Sequence, residues 1–124
     1  MKYKLVSRAN PQNRSQSKWY AKPVNEGKVT QKAIAADIVE LSSLSRGDVS
    51  NVIESLLTTI PKYLLMNKSV NLGDLGTLRV SFSSEGVENP EDFNVRMISS
   101  LKVVFTPSTE FKAMLEKARF EKAE

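Results

Sequence analysis

The residues best suited to chemistry in this 124-residue sequence are lysines and arginines gathered near the amino terminus. Residues 1–32 contain eight of them against one acid, Glu26, for a net charge of +7, whereas residues 33–124 have a net charge of −3. The eight are Lys2, Lys4, Arg8, Arg14, Lys18, Lys22, Lys28 and Lys32. Ammonium and guanidinium groups bind phosphate oxygens, so this asymmetry favours a polyanion that meets the amino-terminal segment first. A solvated basic tail without a partner is the alternative.

Residue types for catalysis are scarce. The sequence has no Cys and no His, which excludes disulfides, Ser-His and Cys-His nucleophile pairs and the common zinc-ligand sets. Asp37 and Glu40 are spaced as an acid pair on one helix face, but nothing nearby supplies a third catalytic group, so we interpret them as solvated. We therefore expect no enzyme, and no cofactor, metal or small-molecule substrate.

Length and hydropathy set the protein class. The length fits one domain, or one domain with a short accessory unit. No apolar run approaches the roughly 18–20 residues that cross a bilayer, and the first residues lack the apolar core of a signal peptide. Together with the absence of Cys, these features predict a cytoplasmic protein without a membrane partner.

Two short strands are predicted before residue 28, because residues 3–7 and 18–24 are rich in aromatic and branched side chains. The polar residues 8–17 contain Asn10-Pro11 and are predicted to form a mobile loop between the strands. Trp19 and Tyr20 lie among lysines, where they could form a surface on which bases stack. Packing of these rings against the core is the favoured interpretation.

Two helices are predicted next. Thr30 can cap the first, which has an apolar stripe at Ile34, Ile38 and Leu41. Ser45 or Asp48 can cap the second, whose apolar residues recur in steps of three and four, and Pro61 should kink or weaken its last turns. The second helix has the strongest periodicity in the sequence, and its apolar residues are Val49, Val52, Ile53, Leu56, Leu57, Ile60 and Leu64.

From Ser69 the apolar period changes to two, which predicts strands on either side of a tight turn at residues 73–76. Residues 83–92 are predicted to form a polar loop, and residues 93–106 to return to strand structure. Pro107 suits the first turn of a final helix. The fold class is therefore α+β, with domains at 1–28 and 29–124.

Four segments resemble the HU/IHF family of bacterial histone-like DNA-binding proteins. The run from Val70 to Val80 is similar to the family's Val-x-Leu-x-x-Phe-Gly-x-Phe-x-Val, with Leu75 and Leu78 in place of aromatics. The other three segments are the interhelix turn 44–48, Asn89-Pro90 at the tip of an arm, and residues 105–108 before the final helix. They cover residues 29–119 in the family's order. Residues 1–28 resemble the amino-terminal extension of a longer HU-related group.

The resemblance implies an intertwined homodimer with a two-helix base, a carboxy-terminal helix and β-ribbon arms that reach around duplex DNA along the minor groove. It implies that Gly76 is the strand-turn glycine and that Pro90 wedges between base steps. A plain turn is the other reading of Pro90. It also places four residues in a core shared between the chains: Leu56, Leu57, Leu75 and Phe105.

Charge departs from the family pattern in the arm. Residues 83–97 contain one cation, Arg96, and four acids, whereas family arms carry several Arg and Lys that contact phosphates. We therefore predict that the amino-terminal cations take over part of this role in a nucleoid protein that binds duplex DNA with little sequence preference. The candidate DNA-binding residues are Lys2, Lys4, Arg8, Arg14, Lys18, Lys22, Arg79, Pro90, Arg96 and Lys102. The alternative is an HU-fold dimer that serves as a structural or protein-interaction module.

Overall fold

A computed structural model describes residues 1–124, which form three helices and two separate three-stranded sheets. This confirms the predicted α+β class. None of the helices combines the length and the apolar content needed to span a membrane. The elements in chain order are β1 (Lys2–Asn10), β2 (Asn13–Pro23), α1 (Gln31–Leu41), α2 (Arg46–Leu64), β3 (Val70–Asn71), β4 (Gly76–Ser84), β5 (Ile98–Pro107), α3 (Thr109–Leu115) and β6 (Glu121–Lys122).

The first sheet is a long hairpin of β1 and β2, with β6 parallel to β1 at its edge. The predicted mobile loop over residues 8–17 is therefore wrong, because all but Pro11 and Gln12 of that segment lies in strands. Two asparagines make the tight turn possible: Asn10 Oδ1 accepts from the Gln12 N–H at 3.0 Å, and Asn13 Oδ1 accepts from the Ser15 N–H at 3.2 Å. Polar residues are tolerated in both strands because both faces of the hairpin are exposed.

Side-chain caps define the starts of the two long helices, as predicted. The Thr30 hydroxyl accepts from the Ala33 N–H at the start of α1. Ser45 and Asp48 form a reciprocal capping box at the start of α2, and these bonds to Ser45 lower the pKa of the Asp48 carboxyl. Pro61 lies within α2 and does not end it, since the Leu65 N–H still donates to the Pro61 carbonyl at 2.9 Å.

The second sheet has the order β3-β4-β5, and β4 and β5 form a two-stranded ribbon. Gly76 begins β4 at φ 148°, where a Cβ atom would lie 2.5 Å from the Thr106 carbonyl oxygen and 2.7 Å from the Phe105 ring. Only glycine fits at this position, where β5 passes close to the start of β4, in agreement with the strand-turn role expected for Gly76. Residues 85–97 close the end of the ribbon with two short 3₁₀ turns, so the strand predicted from residue 93 begins only at Ile98.

The last helix differs from the prediction. Pro107 ends β5 and Ser108 is the N-cap of α3, so the placement of Pro107 in the first helical turn is wrong. The Ser108 hydroxyl donates to the Asp74 carbonyl and its N–H donates to the Leu75 carbonyl, which fixes the start of α3 against the turn before β4. The helix ends at Leu115, and after a turn residues 121–122 pair with β1 as β6.

Very little of this chain is buried. Ala35, Val49 and Leu64 are its only buried apolar side chains, and its accessible surface is 10980 Å². A compact monomer of this size exposes about 6,600 Å². The two extended hairpins explain part of the difference, but large apolar side chains also remain uncovered on α2 and β5, among them Leu57 at 70% and Leu101 at 67% exposure.

Candidate nucleic-acid interface

Five predicted cations share one face of the β1–β2 hairpin. Side chains alternate between the faces of a strand, so Lys2, Lys4 and Arg8 project from the same side of β1. In the antiparallel register Lys4 is opposite Lys22 and Arg8 is opposite Lys18, which brings both β2 lysines to that side. We call these five residues the basic face. The sequence contained the pattern, since all five have even numbers, but the hairpin register was needed to connect the two strands.

The basic face is hardly neutralised within the chain. Lys2 Nζ lies 3.5 Å from Glu26 Oε1, which is the only salt bridge in the structure. The other four cations are exposed and have no carboxylate within salt-bridge distance. Like charges directly opposite each other in a sheet are destabilising, and two such pairs stand here on either side of the Val6–Tyr20 pair. The arrangement therefore costs stability in the free chain and suits a bound polyanion.

The two neighbouring aromatics of β2 lie on opposite faces of the hairpin. Tyr20 is opposite Val6 and belongs to the basic face, whereas Trp19 is opposite Ser7 and lies on the other side with Leu5. Tyr20 is 48% exposed and Trp19 is 68% exposed. The favoured interpretation that both rings pack against the core is wrong within this chain, because both rings are exposed and the contacts of β1 and β2 are mainly with each other and with β6.

The β4–β5 ribbon also has two unlike faces. Leu78 and Val80 are paired with Phe105 and Val103 on the apolar face. Arg79 and Lys102 lie on the opposite face as diagonal neighbours, since Arg79 pairs with Val104 and Lys102 with Ser81. The ribbon therefore provides a second, smaller cationic site, which is separate from the basic face.

The loop that closes the ribbon is acidic. Pro90 is the first residue of a 3₁₀ turn and is exposed, with Glu91 and Asp92 in the same turn. Arg96 lies in the next turn, which is capped by the Asn94 side chain. Phosphate would be repelled by the acids around Pro90 unless cations supplied elsewhere offset them.

The ten candidate residues are thus divided among four places. Five form the basic face, Arg79 and Lys102 share a ribbon face, and Pro90 and Arg96 lie in the closing loop. Arg14 lies on β2 beyond the register shift that follows Ala9 and is exposed near the hairpin turn. Tyr20 also lies on this surface, whereas the sequence favoured its packing against the core over a stacking surface among the lysines; its place two residues from both Lys18 and Lys22 was the available indication.

A family model matches residues 1–122, nearly the whole chain, and is described as HU-HIG, an HU domain fused to a winged helix-turn-helix, Ig or glycine-rich motif. The chain belongs to the HU-HIG family. The resemblance to HU is thereby confirmed, and the match includes the amino-terminal hairpin of this HU-HIG chain as well as the helices and ribbon.

Eleven chains of solved structures match this HU-HIG chain. One is a Bacteroides vulgatus ATCC 8482 protein provisionally described as a bacterial DNA-binding protein, with a TM-score of 0.63 and 16% sequence identity. The alignment covers 98% of this chain and 47% of the Bacteroides protein, so this chain spans about half the length of that neighbour. At this identity the likeness concerns the fold. No curated protein gives a significant match to the sequence.

Proposed function

We propose that this protein binds duplex DNA as a homodimer, with little sequence preference and largely through phosphate contacts. The observation that carries the proposal is the basic face, where five cations project to one side of a hairpin with a single carboxylate to neutralise them. Membership of an HU-type family and the DNA-binding description of the Bacteroides neighbour support the choice of DNA as the polyanion. The role is that of an architectural, nucleoid-type protein.

Phosphate contacts give such a surface a function. Each phosphate that a lysine or arginine neutralises releases a condensed counterion, and this gives affinity that does not depend on base sequence. Repulsion within the pairs Lys4–Lys22 and Arg8–Lys18 is relieved when phosphates lie between or above them. DNA binding therefore stabilises the hairpin.

The three cationic sites have different roles in DNA binding. In this proposal residues 1–28 provide most of the positive potential, and residues 29–124 provide the dimer and the ribbon. Arg79 and Lys102 contact the backbone beside the ribbon, and Arg96 offsets part of the acidic loop. Pro90 is exposed at the loop, where it can reach a base step once the basic face holds the duplex.

The uncovered apolar surface supports dimerisation. An obligate dimer interface buries about 2,000–5,000 Å² in total, or about 1,000–2,500 Å² from each chain, and this chain exposes about 4,400 Å² more than a compact monomer of its size. Leu56 and Leu57 on α2, Leu75, and Phe105 on β5 are between 38% and 70% exposed. A second copy that covers these side chains would complete the core.

An alternative function is favoured by the acidic loop. Four acids and one cation at residues 83–97 disfavour wrapping of the ribbon around DNA, and they would suit an HU-fold dimer that acts as a structural or protein-interaction module. In that case the basic face would bind an acidic protein surface.

Titration of a labelled duplex at about 50 mM and about 200 mM salt separates the two functions. The proposal predicts binding at low salt that weakens steeply at the higher concentration. Absence of binding at low salt would reject DNA binding and leave the interaction module.

A further inference from the structure

Tyr20 lies at the centre of the basic face. Its cross-strand partner is Val6, and the pairs Arg8–Lys18 and Lys4–Lys22 stand on either side of it along the hairpin. Two residues of a strand span about 6.8 Å, so Lys18, Tyr20 and Lys22 place a cation, a ring and a cation at even intervals. A half-exposed aromatic ring is thus framed by four positive charges.

A depression of about 450 Å³ adjoins the ring and is lined by Arg8, Asn10, Gln16, Lys18 and Tyr20, together with Ala9 and Pro11. This volume lies in the range of sites that hold small planar ligands. Gln16 and Asn10 supply amide donors and acceptors, and Arg8 and Lys18 supply charge. The lining therefore offers contacts both to a ring and to its attached phosphates.

An aromatic ring within a cationic groove stacks with any nucleobase, provided that the face of the base is free. In a duplex the base faces are already stacked on one another, and only phosphates and groove edges are accessible. The ring would therefore add little to duplex binding by the same cations. The Tyr20 ring can stack on a base when the bound strand is unpaired.

We propose that the basic face binds a single-stranded stretch of polynucleotide, with one base stacked on Tyr20 and the adjacent phosphates held by Arg8, Lys18 and Lys22. The inference rests on the proposed function, since the same cations are assigned to nucleic acid there, and it adds a second form of nucleic acid that this surface binds.

Trp19 provides a matched control within the same strand. It is the larger and more exposed ring, but it lies on the opposite face beside Leu5 and not among the paired cations. Loss of a ring at Trp19 therefore tests the effect of removing an exposed aromatic from β2 without altering the basic face.

The test uses the full-length protein and fluorescence anisotropy at low salt, with an oligothymidine of about 16 nucleotides and a mixed-sequence duplex as probes. Tyr20→Leu is expected to weaken oligothymidine binding by about fivefold or more, and to leave duplex binding nearly unchanged. Tyr20→Phe should retain the affinity because it keeps the ring. Trp19→Leu should match the wild type on both probes.

Three results would overturn the inference: equal oligothymidine affinity for Tyr20→Leu and wild type, an equal loss for Trp19→Leu, or an equal loss of duplex and oligothymidine binding for Tyr20→Leu. Circular dichroism of each variant verifies that the hairpin is intact. If Tyr20→Leu does not fold, Tyr20→Val tests the loss of the ring, because a β-branched side chain suits a strand. If the protein binds the duplex and its oligothymidine affinity is the same with and without the Tyr20 ring, only this inference is rejected. Failure to bind either probe rejects the proposed function as well.

Discussion

Replacing Lys18 and Lys22 by glutamine removes one cation from each like-charged pair on the basic face. Two unit charges about 5 Å apart in water repel by about 0.8 kcal/mol, and flexible side chains and salt reduce this value. The double variant should therefore be more stable than the wild type by up to about 1.5 kcal/mol at low salt. Urea unfolding measures the difference in the free energy of unfolding.

The same change should weaken DNA binding. Each phosphate contact contributes about 0.9 to the slope of log affinity against log salt, so the loss of two contacts in each chain, four in the dimer, lowers the slope by up to about 3.6. Between about 50 mM and about 200 mM salt, wild-type affinity should then fall up to about 150-fold more than that of the variant. We therefore expect the free energy of unfolding to rise and the DNA affinity to fall in the same variant, because the paired cations repel each other in the free protein and contact phosphates in the complex.

The control is the double variant Lys112→Gln and Lys117→Gln, which removes the same number of positive charges as the Lys18 and Lys22 variant. Lys112 lies on α3 and Lys117 follows it, so both are outside the hairpin. That variant should leave both the free energy of unfolding and the salt slope close to wild type. A Lys18 and Lys22 double variant that has the wild-type slope, or the slope of this control, would refute the assignment of phosphate contacts to the basic face.

Three further changes probe the fold and the dimer. Gly76→Ala should destabilise the protein by about 2 kcal/mol or more in urea, because the added Cβ meets the Thr106 carbonyl and the Phe105 ring; unchanged stability would show that the crossing relaxes. Leu57→Asp should shift the protein from dimer to monomer in sedimentation, since a charge would enter the proposed shared core; a dimer that survives would exclude α2 from the interface. Ser45→Ala should cost about 1 kcal/mol through loss of the α2 cap, as measured by thermal or urea unfolding. The pKa of Asp48 is lowered in the folded state, first by the bond that its carboxylate accepts from the Ser45 N–H, so its contribution is present above its unfolded pKa and is lost as pH falls through the lower folded value. Ser45→Ala keeps that N–H and should reduce this acid-side dependence in part, whereas Asp48→Asn should remove it.

The sequence was sufficient for the parts of the fold that are set by local chemistry. Thr30 and Ser45 are strong caps whose partners lie three residues away, so the starts of α1 and α2 could be predicted without tertiary information. Gly76 could be assigned through its motif, and the structure adds the reason, which is the close approach of β5.

Other features depend on pairing between distant segments and could not be read from periodicity. The polar residues around Arg14 lacked strand character, yet they extend β2 because β1 is available as a partner. The short strand β6 that follows α3 exists only through its pairing with β1, at the other end of the chain. That Lys4 and Lys22 lie on the same side could be found only from the hairpin register. The register could not be derived while residues 8–17 were predicted to form a loop.

Sedimentation of the full-length protein at low ionic strength, alone and with an equimolar short duplex, bears most directly on the proposal that two chains join to hold DNA by their basic faces. The free protein should sediment at twice the mass of one chain, and the duplex should move with it and be released when salt is raised. A folded single chain that leaves the duplex sedimenting at its own rate would contradict both the dimer and the DNA-binding assignment.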